Sequence, residues 1–514
     1  MILDFHVHLP AGCESDPECG RHLLESAMPY GIGVCIFSHI FFPDPGSNPG
    51  FPCPEKIHKA NAFAAVQAWK NPLRLYFMGY INPQNPDWKQ EMDFCLSRGA
   101  CGFKLWISLK DAAGSLERTI QVLRYAAQLD QCVYLHVFNR TGGTLPGEIS
   151  MEEFAYLART VPECRMIAGH AGGNWRKSAE IFPRCPENVW MEISGSDPDY
   201  GMVDGILKFC PPERLLYGSD APGRAFFPQI WKVMESSLSP EDRAKVFFRN
   251  GMELLHLPLP PAITVPRIRA GEVPGPEDID YCCFCGAYPF ESRRKVSPEQ
   301  LEQMLHPEGI REAYCAAFEA VFARGESLYR ENMVFYHACK GFSHLRPLAA
   351  VRPDDPESGR ILREVCRDPE GWGGLWLSPG FHLWRLDDPA CKSFLMRCMD
   401  THRNLFIHCN SYETRFHHPQ LGSREVTEEE LRFFLKESAS SSNHVIIQGK
   451  DPFSGAEEFR HCSWCYTTLT DKGCMLDDLC SRNCFPPLVR GSQFPFRHLG
   501  ESLAGARFRM RKKL

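Results

Sequence analysis

The sequence lacks long hydrophobic runs. No stretch of about 18 consecutive apolar residues occurs in the chain, which excludes a membrane-spanning helix. It also lacks a basic segment followed by an apolar core after Met1, so we predict no secretory signal peptide and a cytoplasmic location. Positive charge is not in excess, because 57 Lys and Arg stand against 63 Asp and Glu and the formal net charge is −6. We therefore expect neither a membrane nor a nucleic acid as a partner.

Cysteine, in contrast, is abundant, with 24 residues in the chain. Without a secretory signal, we interpret these as reduced thiols rather than as a disulfide framework. One group near the C-terminus has some of the spacing of metal ligands, namely His461, Cys462, Cys465, Cys474, Cys480 and Cys484. A structural zinc is one interpretation of this group, and reduced, buried cysteines are the other.

The first half of the sequence alternates between strand-like and helix-like segments. Short apolar runs bounded by glycine, proline and asparagine predict strands at residues 1–9, 31–39, 73–81, 101–107, 132–137, 165–169, 189–194 and 215–219. Helical periodicity falls between them, at residues 56–69, 87–96, 116–129 and 152–160. Eight such units in about 250 residues are typical of a (β/α)8 TIM barrel, an α/β fold.

Side chains that can bind a metal stand at the ends of these predicted strands. His6 and His8 are two residues apart, so in a strand both imidazoles face the same side. Further candidates end four other strands: Lys104, His136, His170 and Asp220. Active sites of TIM barrels lie at the C-terminal ends of the strands. Because imidazole and carboxylate groups are common metal ligands, the sequence predicts a metal site at the barrel mouth.

Five motifs in this order resemble the amidohydrolase superfamily, specifically its amidohydrolase-2 branch, which includes aminocarboxymuconate-semialdehyde decarboxylase-like enzymes. They are DFHVH at 4–8, FKLW at 103–106, YLH at 134–136, AGHAGG at 168–173 and LLYGSDAP at 215–222. The resemblance covers residues 1–256. It implies a divalent metal, usually zinc, held by His6, His8, His136 and Asp220, with His170 and Lys104 as further candidate ligands.

The resemblance also implies chemical roles for these residues. A bound metal lowers the pKa of its water from about 16 to near 7. Asp220 would then accept a proton from the water, and His170 would pass it to a leaving group or hold an oxyanion. Lys104 is either carboxylated, bridging two metal ions as in binuclear relatives, or an ordinary ammonium group. We favour a single ion, because members of this branch are more often mononuclear.

The loops after the strands are expected to recognise the substrate. Arg140 and Arg176 are candidates to clamp a carboxylate, although a solvated surface arginine is as good an interpretation of each. Trp106 either stacks on a planar substrate or fills the barrel wall. We expect hydrolysis of a C–N or C–O bond in a small carboxylate-bearing molecule. Non-oxidative decarboxylation of a small organic acid is the alternative, because the same ligands serve both reactions.

The second half of the sequence repeats the pattern of the first. Six prolines in residues 257–278 predict a linker between a domain at 1–256 and a second at 279–514. Beyond it, motifs return at offsets of 270 to 280 residues: DYCCF at 280–284, RPLAAVRP at 346–353, GLWL at 374–377, LFIHCN at 405–410, VIIQGK at 445–450 and GSQFP at 491–495. A nearly constant offset predicts an internal duplication.

The second copy has lost the proposed ligands. Cys282, Phe284, Trp376, Lys450 and Gln493 replace His6, His8, Lys104, His170 and Asp220, and only His408 remains. One histidine cannot hold a catalytic metal, so we predict a degenerate, non-catalytic TIM-barrel-like domain. It would make the protein a monomeric pseudo-dimer, although a homodimer is also open. A hypothesis of another class is a binding or scaffold protein with the second domain as its working surface.

Overall fold

In a computed structural model, the chain forms two compact units, Met1–Ile268 and Arg269–Leu514. The structure describes residues 1–10, 12–40, 53–106, 108–195, 201–224, 226–234, 236–262, 279–289, 295–305, 310–409, 422–450, 453, 455–465 and 488–489. Most of the predicted linker, residues 263–278, lies outside them. The domain boundaries at 256 and 279 stay a prediction.

The first unit is built on parallel strands that follow the chain in order. They are β1 Ile2–His8, β2 Ile32–Ser38, β3 Leu75–Phe77, β4 Gly79–Tyr80, β5 Phe103–Leu105, β6 Val133–Leu135, β7 Met166–Ala168, β8 Val189–Glu192 and β9 Leu215–Leu216. Only Met78 separates β3 from β4, and its N–H donates to the carbonyl of Phe37 on β2 at 2.8 Å. β3 and β4 therefore continue one line of the sheet.

The last strand returns to the first. The N–H of Phe5 on β1 donates to the carbonyl of Tyr217 at 2.9 Å, and the N–H of His8 donates to that of Ala221 at 2.7 Å. These hydrogen bonds join the two ends of the strand order, as a closed barrel requires. The parallel α/β fold is thus confirmed, and the first unit is consistent with the predicted TIM barrel.

Helices pack outside these strands. They are α1 Cys19–Ala27, α2 Pro54–Lys70, α3 Trp88–Ser97, α4 Glu117–Gln128, α5 Met151–Thr160, α6 Trp175–Ile181, α7 Met202–Ile206, α8 Phe226–Met234, α9 Pro240–Ala244 and α10 Asn250–Leu254. One apolar cluster joins helix and strand residues, including Leu24 of α1, Phe37 of β2 and Val122 of α4. This layer holds the strand ends, and with them the candidate site, in place.

The second unit also combines parallel strands with helices. Its parallel strands pair in sequence: β10 Ile279–Cys285, β11 Glu312–Ala317, β12 Leu345–Ala350, β13 Gly374–Leu377, β14 Leu405–His408, β15 Val445–Gln448, β16 Cys462–Cys465 and β17 Leu488–Val489. Each begins 270 to 280 residues after its counterpart in the first unit. The helices are α11 Pro298–Leu305, α12 Phe318–Phe322, α13 Glu326–Cys339, α14 Ser358–Arg367, α15 Pro379–His382, α16 Lys392–Met399 and α17 Glu428–Ser438. The motif at 491–495 lies outside the described residues.

Two buried asparagines tie a helix to a strand in the same way in both units. The amide of Asn61 on α2 donates to the carbonyl of Tyr80 at 2.9 Å and accepts its N–H at 2.8 Å. The amide of Asn332 on α13 makes the same pair of bonds with Ala350, at 3.1 and 2.8 Å. Without the side chain, two buried backbone groups lose these partners.

We therefore expect Asn61→Ala and Asn332→Ala each to lower the free energy of unfolding by about 1–3 kcal/mol, the cost of leaving a buried polar group unpaired. Urea denaturation would measure the loss, and hydrogen exchange would assign it to the unit that carries the change. Asn71→Ala is the control, because this half-buried side chain donates only to the carbonyl of Gln67. An equal loss in Asn71→Ala would contradict the prediction.

The cysteines of the described residues are free thiols. Cys462 and Cys465 are three apart on β16, so their side chains point to opposite faces of the strand. The Nε2 of His461 is instead 3.0 Å from the hydroxyl of Ser438. Because Cys474, Cys480 and Cys484 lie outside the described residues, the structural zinc stays a prediction. No helix in the described part of the chain is long and apolar enough to cross a membrane.

Candidate metal centre

Three predicted ligands meet at the mouth of the first unit. The Nε2 atoms of His6 and His8 are 2.9 Å apart, because both side chains project from the same face at the end of β1. The Oδ1 of Asp220 lies 3.7 Å from the Nε2 of His6 and 3.4 Å from that of His8. Asp220 follows β9 with a φ of 61°, and its N–H donates to the carbonyl of His6 at 2.7 Å. The hydrogen bond holds this uncommon left-handed conformation in place.

The chemistry of these donors fits a divalent metal ion. Two imidazole nitrogens and a carboxylate oxygen, all within 4.8 Å of one another, are a ligand set typical of zinc and related transition metals. The Nδ1 of His8 is 3.0 Å from the backbone carbonyl of Ser38, which can only accept a hydrogen bond. The proton of His8 therefore stays on Nδ1, and the lone pair of its Nε2 can bind a metal. About a fifth of the His8 side chain and a quarter of that of Asp220 are exposed, so solvent reaches the group.

Electrostatics keep these groups in the forms that bind a metal. Burial and the nearby charge of Lys104 hold the pKa of His6 well below its usual value, so the imidazole is neutral. Burial alone would raise the pKa of Asp220, but the adjoining His8, His6 and Arg224 side chains outweigh it, hold that pKa below its usual value and keep the carboxyl ionised. Burial lowers the pKa of Lys104 to about 7, against the opposing charges of Asp220 and Glu192.

Lys104 lies beneath the three ligands, on β5. Its Nζ is 3.4 Å from the Nε2 of His6 and 3.6 Å from the centre of the Tyr134 ring. The structure therefore places this side chain at the site, as predicted. Whether it is carboxylated stays a prediction.

His136 and His170 form a second pair beside the ligands. The Nδ1 of His136 is 3.0 Å from the Nε2 of His170, and the Nε2 of His136 is 3.3 Å from the carboxylate of Glu148. His170 adopts a φ of 58° in the glycine-rich turn after β7, which directs its ring to the site. His136 thus lies next to the three-ligand group but is not part of it, and its role as a ligand stays a prediction.

Arg140 is engaged by the buried Glu148. Its guanidinium donates two hydrogen bonds to that carboxylate, at 2.9 and 2.8 Å. Burial would raise the pKa of Glu148, but its bonds with His136 and Arg140 outweigh it and lower the pKa to about 2. Arg140 therefore orients His136 through Glu148 in this structure. The sequence analysis missed Glu148, because no pattern pairs two loop residues eight positions apart.

Trp106 and Arg176 are the other predicted recognition residues. The ring of Trp106 stands edge-on to that of His136, with centres 6.4 Å apart. The guanidinium of Arg176 is 4.3 Å from the ring of the adjacent Trp175. Both side chains are partly exposed. Their contact with a substrate stays a prediction.

The sequence analysis also missed a buried carboxylate below His6. Glu192 ends β8 and is fully buried, and Tyr134 of β6 donates its hydroxyl to it at 2.6 Å. Glu192, His170 and His6 offer a second set of donor atoms close enough for a metal. However, the Tyr134 hydroxyl is also in hydrogen-bond contact with the Nδ1 of His6, so a phenol already fills this space. The sequence signal that could have identified Glu192 is its acidic side chain in the otherwise apolar strand β8.

The corresponding centre of the second unit is filled by aromatic rings. Trp376 stacks on His408 with ring centres 4.4 Å apart, and Phe284 packs against both at 5.2 and 5.6 Å. The Nδ1 of His408 is 3.0 Å from the amide oxygen of Gln448. Lys450 pairs with Glu425 at 2.7 Å. Among the described residues, both groups of metal donors lie in the first unit. Gln493 lies outside the described residues.

Comparison with known proteins finds one family model that matches a segment of the first unit. Residues 53–257 match the family model described as "Amidohydrolase". The match includes Lys104, His136, His170 and Asp220, while His6 and His8 precede it. It confirms, for this segment, the resemblance and the expectation of an amidohydrolase-type enzyme. No curated protein matches the sequence significantly.

Several solved structures are similar to about half of the chain. One is a 2,6-dihydroxybenzoate decarboxylase from Rhizobium, 18% identical over 50% of this chain and 98% of its own, with a TM-score of 0.39. A dihydroxybenzoic acid decarboxylase from a Polaromonas species, solved with bound manganese, is 17% identical over 50% and 96%, with a TM-score of 0.39. A 4-oxalomesaconate hydratase from Rhodopseudomonas palustris is 12% identical over 50% and 96%, with a TM-score of 0.38.

Proposed function

We propose that the first unit is a metal-dependent hydrolase, because residues 53–257 match the amidohydrolase family model. It would act on a C–N or C–O bond of a small carboxylate-bearing molecule. The observation that carries the proposal is the convergence of His6, His8 and Asp220, from both ends of the strand order, on one point open to solvent. We propose one divalent ion there, with zinc as the first candidate and His136 as a further ligand.

The metal would supply a water of lowered pKa and polarise a substrate oxygen. The residues of the chain would hold and move protons around it. The ionised carboxylate of Asp220 faces the open side and can accept a proton there. His170 lies beside His136 and can accept a proton or donate one next to the site. Lys104 adds positive charge at the site when it is protonated.

We propose further that the second unit is a duplicated, non-catalytic copy of the first. Matched features support this. Asn61 and Asn332 make equivalent bonds, to Tyr80 of β4 and to Ala350 of β12. Gly102, directly before β5, and Gly374, the first residue of β13, have φ values of 156° and 155°. Helices α5 and α17 both begin with a reciprocal capping box. The rings of Phe284 and Trp376 would exclude a metal ion from its centre.

The size of the assembly is part of the proposal. The two units would replace the subunits of a dimer, giving a monomeric pseudo-dimer, with a homodimer as the alternative. Light scattering of the full chain would separate the two. The cytoplasmic location stays a prediction from the sequence.

A metal and activity assay tests the proposed enzyme. We expect the purified full chain to bind about one divalent ion at a three-ligand site of this kind and to lose activity with a chelator, with recovery on adding Zn²⁺ or Mn²⁺. Elemental analysis gives the metal per chain. A panel of amides and lactones, scored for hydrolysis, would be compared with aromatic and dicarboxylic acids, scored for carbon dioxide release.

Each outcome of this assay has a separate meaning. Carbon dioxide release without hydrolysis would replace the proposed hydrolase by the decarboxylase. Two ions per chain would favour the carboxylated Lys104. A chain that binds no divalent ion would contradict the proposed enzyme and favour the binding or scaffold protein.

A further inference from the structure

The carboxylate of Glu192 is saturated with hydrogen-bond donors although it touches no solvent. It accepts the hydroxyl of Tyr134 at 2.6 Å and the N–H of His170 at 3.2 Å. Ser194 donates its N–H at 2.6 Å and its hydroxyl at 2.8 Å. Three of these donors reach Oε2 and the N–H of Ser194 reaches Oε1, so both carboxylate oxygens accept hydrogen bonds. A buried acidic group with this many partners fixes the orientation of its neighbours.

The direction of these bonds determines where the proton of His6 resides. A carboxylate only accepts, so the hydroxyl of Tyr134 must donate to Glu192. The phenol oxygen of Tyr134 is then left to accept from the Nδ1 of His6, and the hydroxyl of Ser194, which donates to the same carboxylate, lies 3.2 Å from that nitrogen. The Nε2 of His6 consequently keeps its lone pair, and this atom is the one that faces His8 and Asp220.

Two other contacts agree with this assignment. The Nζ of Lys104 lies 3.4 Å from the Nε2 of His6 and, when protonated, can only donate to a lone pair on that nitrogen. His8 lies on β1 with His6, and the backbone carbonyl of Ser38 on β2 holds the proton of His8 on Nδ1. The two histidines would thus present the same nitrogen, each oriented by a different acceptor.

We propose that Glu192 is a positioning residue that acts through Tyr134 to hold the proton of His6 on Nδ1, leaving Nε2 ready to bind the metal. This inference rests on the proposed metal site. It assigns a task to two buried residues outside the group of three donors. The Oε2 of Glu192 is itself 3.6 Å from the Nδ1 of His6, beyond hydrogen-bond distance, so the phenol of Tyr134 carries the contact.

The first test is the tautomer of His6 in metal-free protein. Long-range ¹H–¹⁵N spectra of the histidine-labelled full chain report which ring nitrogen carries the proton, and the resonance absent from His6→Ala identifies His6. We expect the Nδ1–H form in the wild type. In Tyr134→Phe and Glu192→Gln, we expect the Nε2–H form to be populated. An Nε2–H form in the wild type would overturn the inference.

The second test is the affinity for Zn²⁺, measured by competition with a chromophoric chelator. Loss of a partner that orients a metal-binding histidine typically weakens binding about 10–100-fold, and we expect a loss of this size in Tyr134→Phe and Glu192→Gln. Tyr134→Phe is the cleaner variant, because Glu192 keeps its bonds from His170 and Ser194. The Co²⁺ visible spectrum should change in both variants as the ligand geometry at His6 loosens.

Glu91→Gln is the matched control. This carboxylate is also largely buried in the first unit, but it contacts Asn61 and His58. We expect wild-type tautomer and affinity in this control. Wild-type affinity in both Tyr134→Phe and Glu192→Gln would overturn the inference and leave the proposed enzyme standing. A wild type with the Nδ1–H form that binds no metal would contradict the proposed function instead.

Discussion

We expect Asp220→Asn to reduce the affinity for a divalent cation by more than about 100-fold. A loss of about 100-fold is the upper end for removing a residue that orients a metal ligand without binding the metal itself. The substitution keeps the shape of the side chain and removes its negative charge. Asp220 is the sole carboxylate among the three convergent donors, so the site becomes neutral before the metal binds. Competition with a chromophoric chelator measures the affinity, and activity in the assay panel should fall with it.

Asp130→Asn is the control for this prediction. Asp130 also has a positive φ, 55°, and lies in the first unit, but its side chain is exposed and pairs with Arg165. Asparagine tolerates the left-handed conformation at both positions, so the two variants carry the same backbone cost. Wild-type metal affinity in Asp220→Asn would remove this residue from the ligand set and weaken the proposed enzyme.

The strands of both units could be predicted because their sequence signals are local. A buried strand in a parallel sheet appears as a short apolar run, and GLWL, LFIH and VIIQ coincide with β13, β14 and β15. The interruption at Met78 could not be predicted, because the run at 73–81 is continuous in hydrophobicity. Only the hydrogen-bond register of the neighbouring strands reveals the break.

The candidate site could be predicted where side chains follow strand geometry. His6 and His8 share a face because they are two residues apart, and Asp220 follows a strand in a recognisable motif. The groups behind them are different, because their partners come from distant parts of the chain. Glu192 meets Tyr134 across 58 residues, and nothing in either local sequence identifies the other. Hydrogen bonds of this kind depend on the register between strands, which cannot be read directly from the local sequence.

The second large effect is expected at Gly195, which follows β8. A Cβ there would lie 2.8 Å from the Cε1 of His170 and 3.0 Å from the Oδ2 of Asp220. Real side chains do not approach this closely, so either His170 or Asp220 must move. We expect Gly195→Ala to lower kcat by more than about 100-fold, the usual cost of a misplacement near 1 Å, and to weaken metal binding as well. The assay panel and the chelator competition measure the two effects.

Gly201→Ala separates the steric effect from backbone strain. Gly195 and Gly201 have φ values of 76° and 73°, so alanine is strained at both positions to the same degree. At Gly201, no atom of the described residues lies within 4 Å of the added Cβ. We expect Gly201→Ala to lose about 1 kcal/mol of stability and to keep its metal affinity. Equal metal affinity in the two variants would show that the site tolerates a side chain at position 195. The proposed arrangement of His170 and Asp220 would then be wrong.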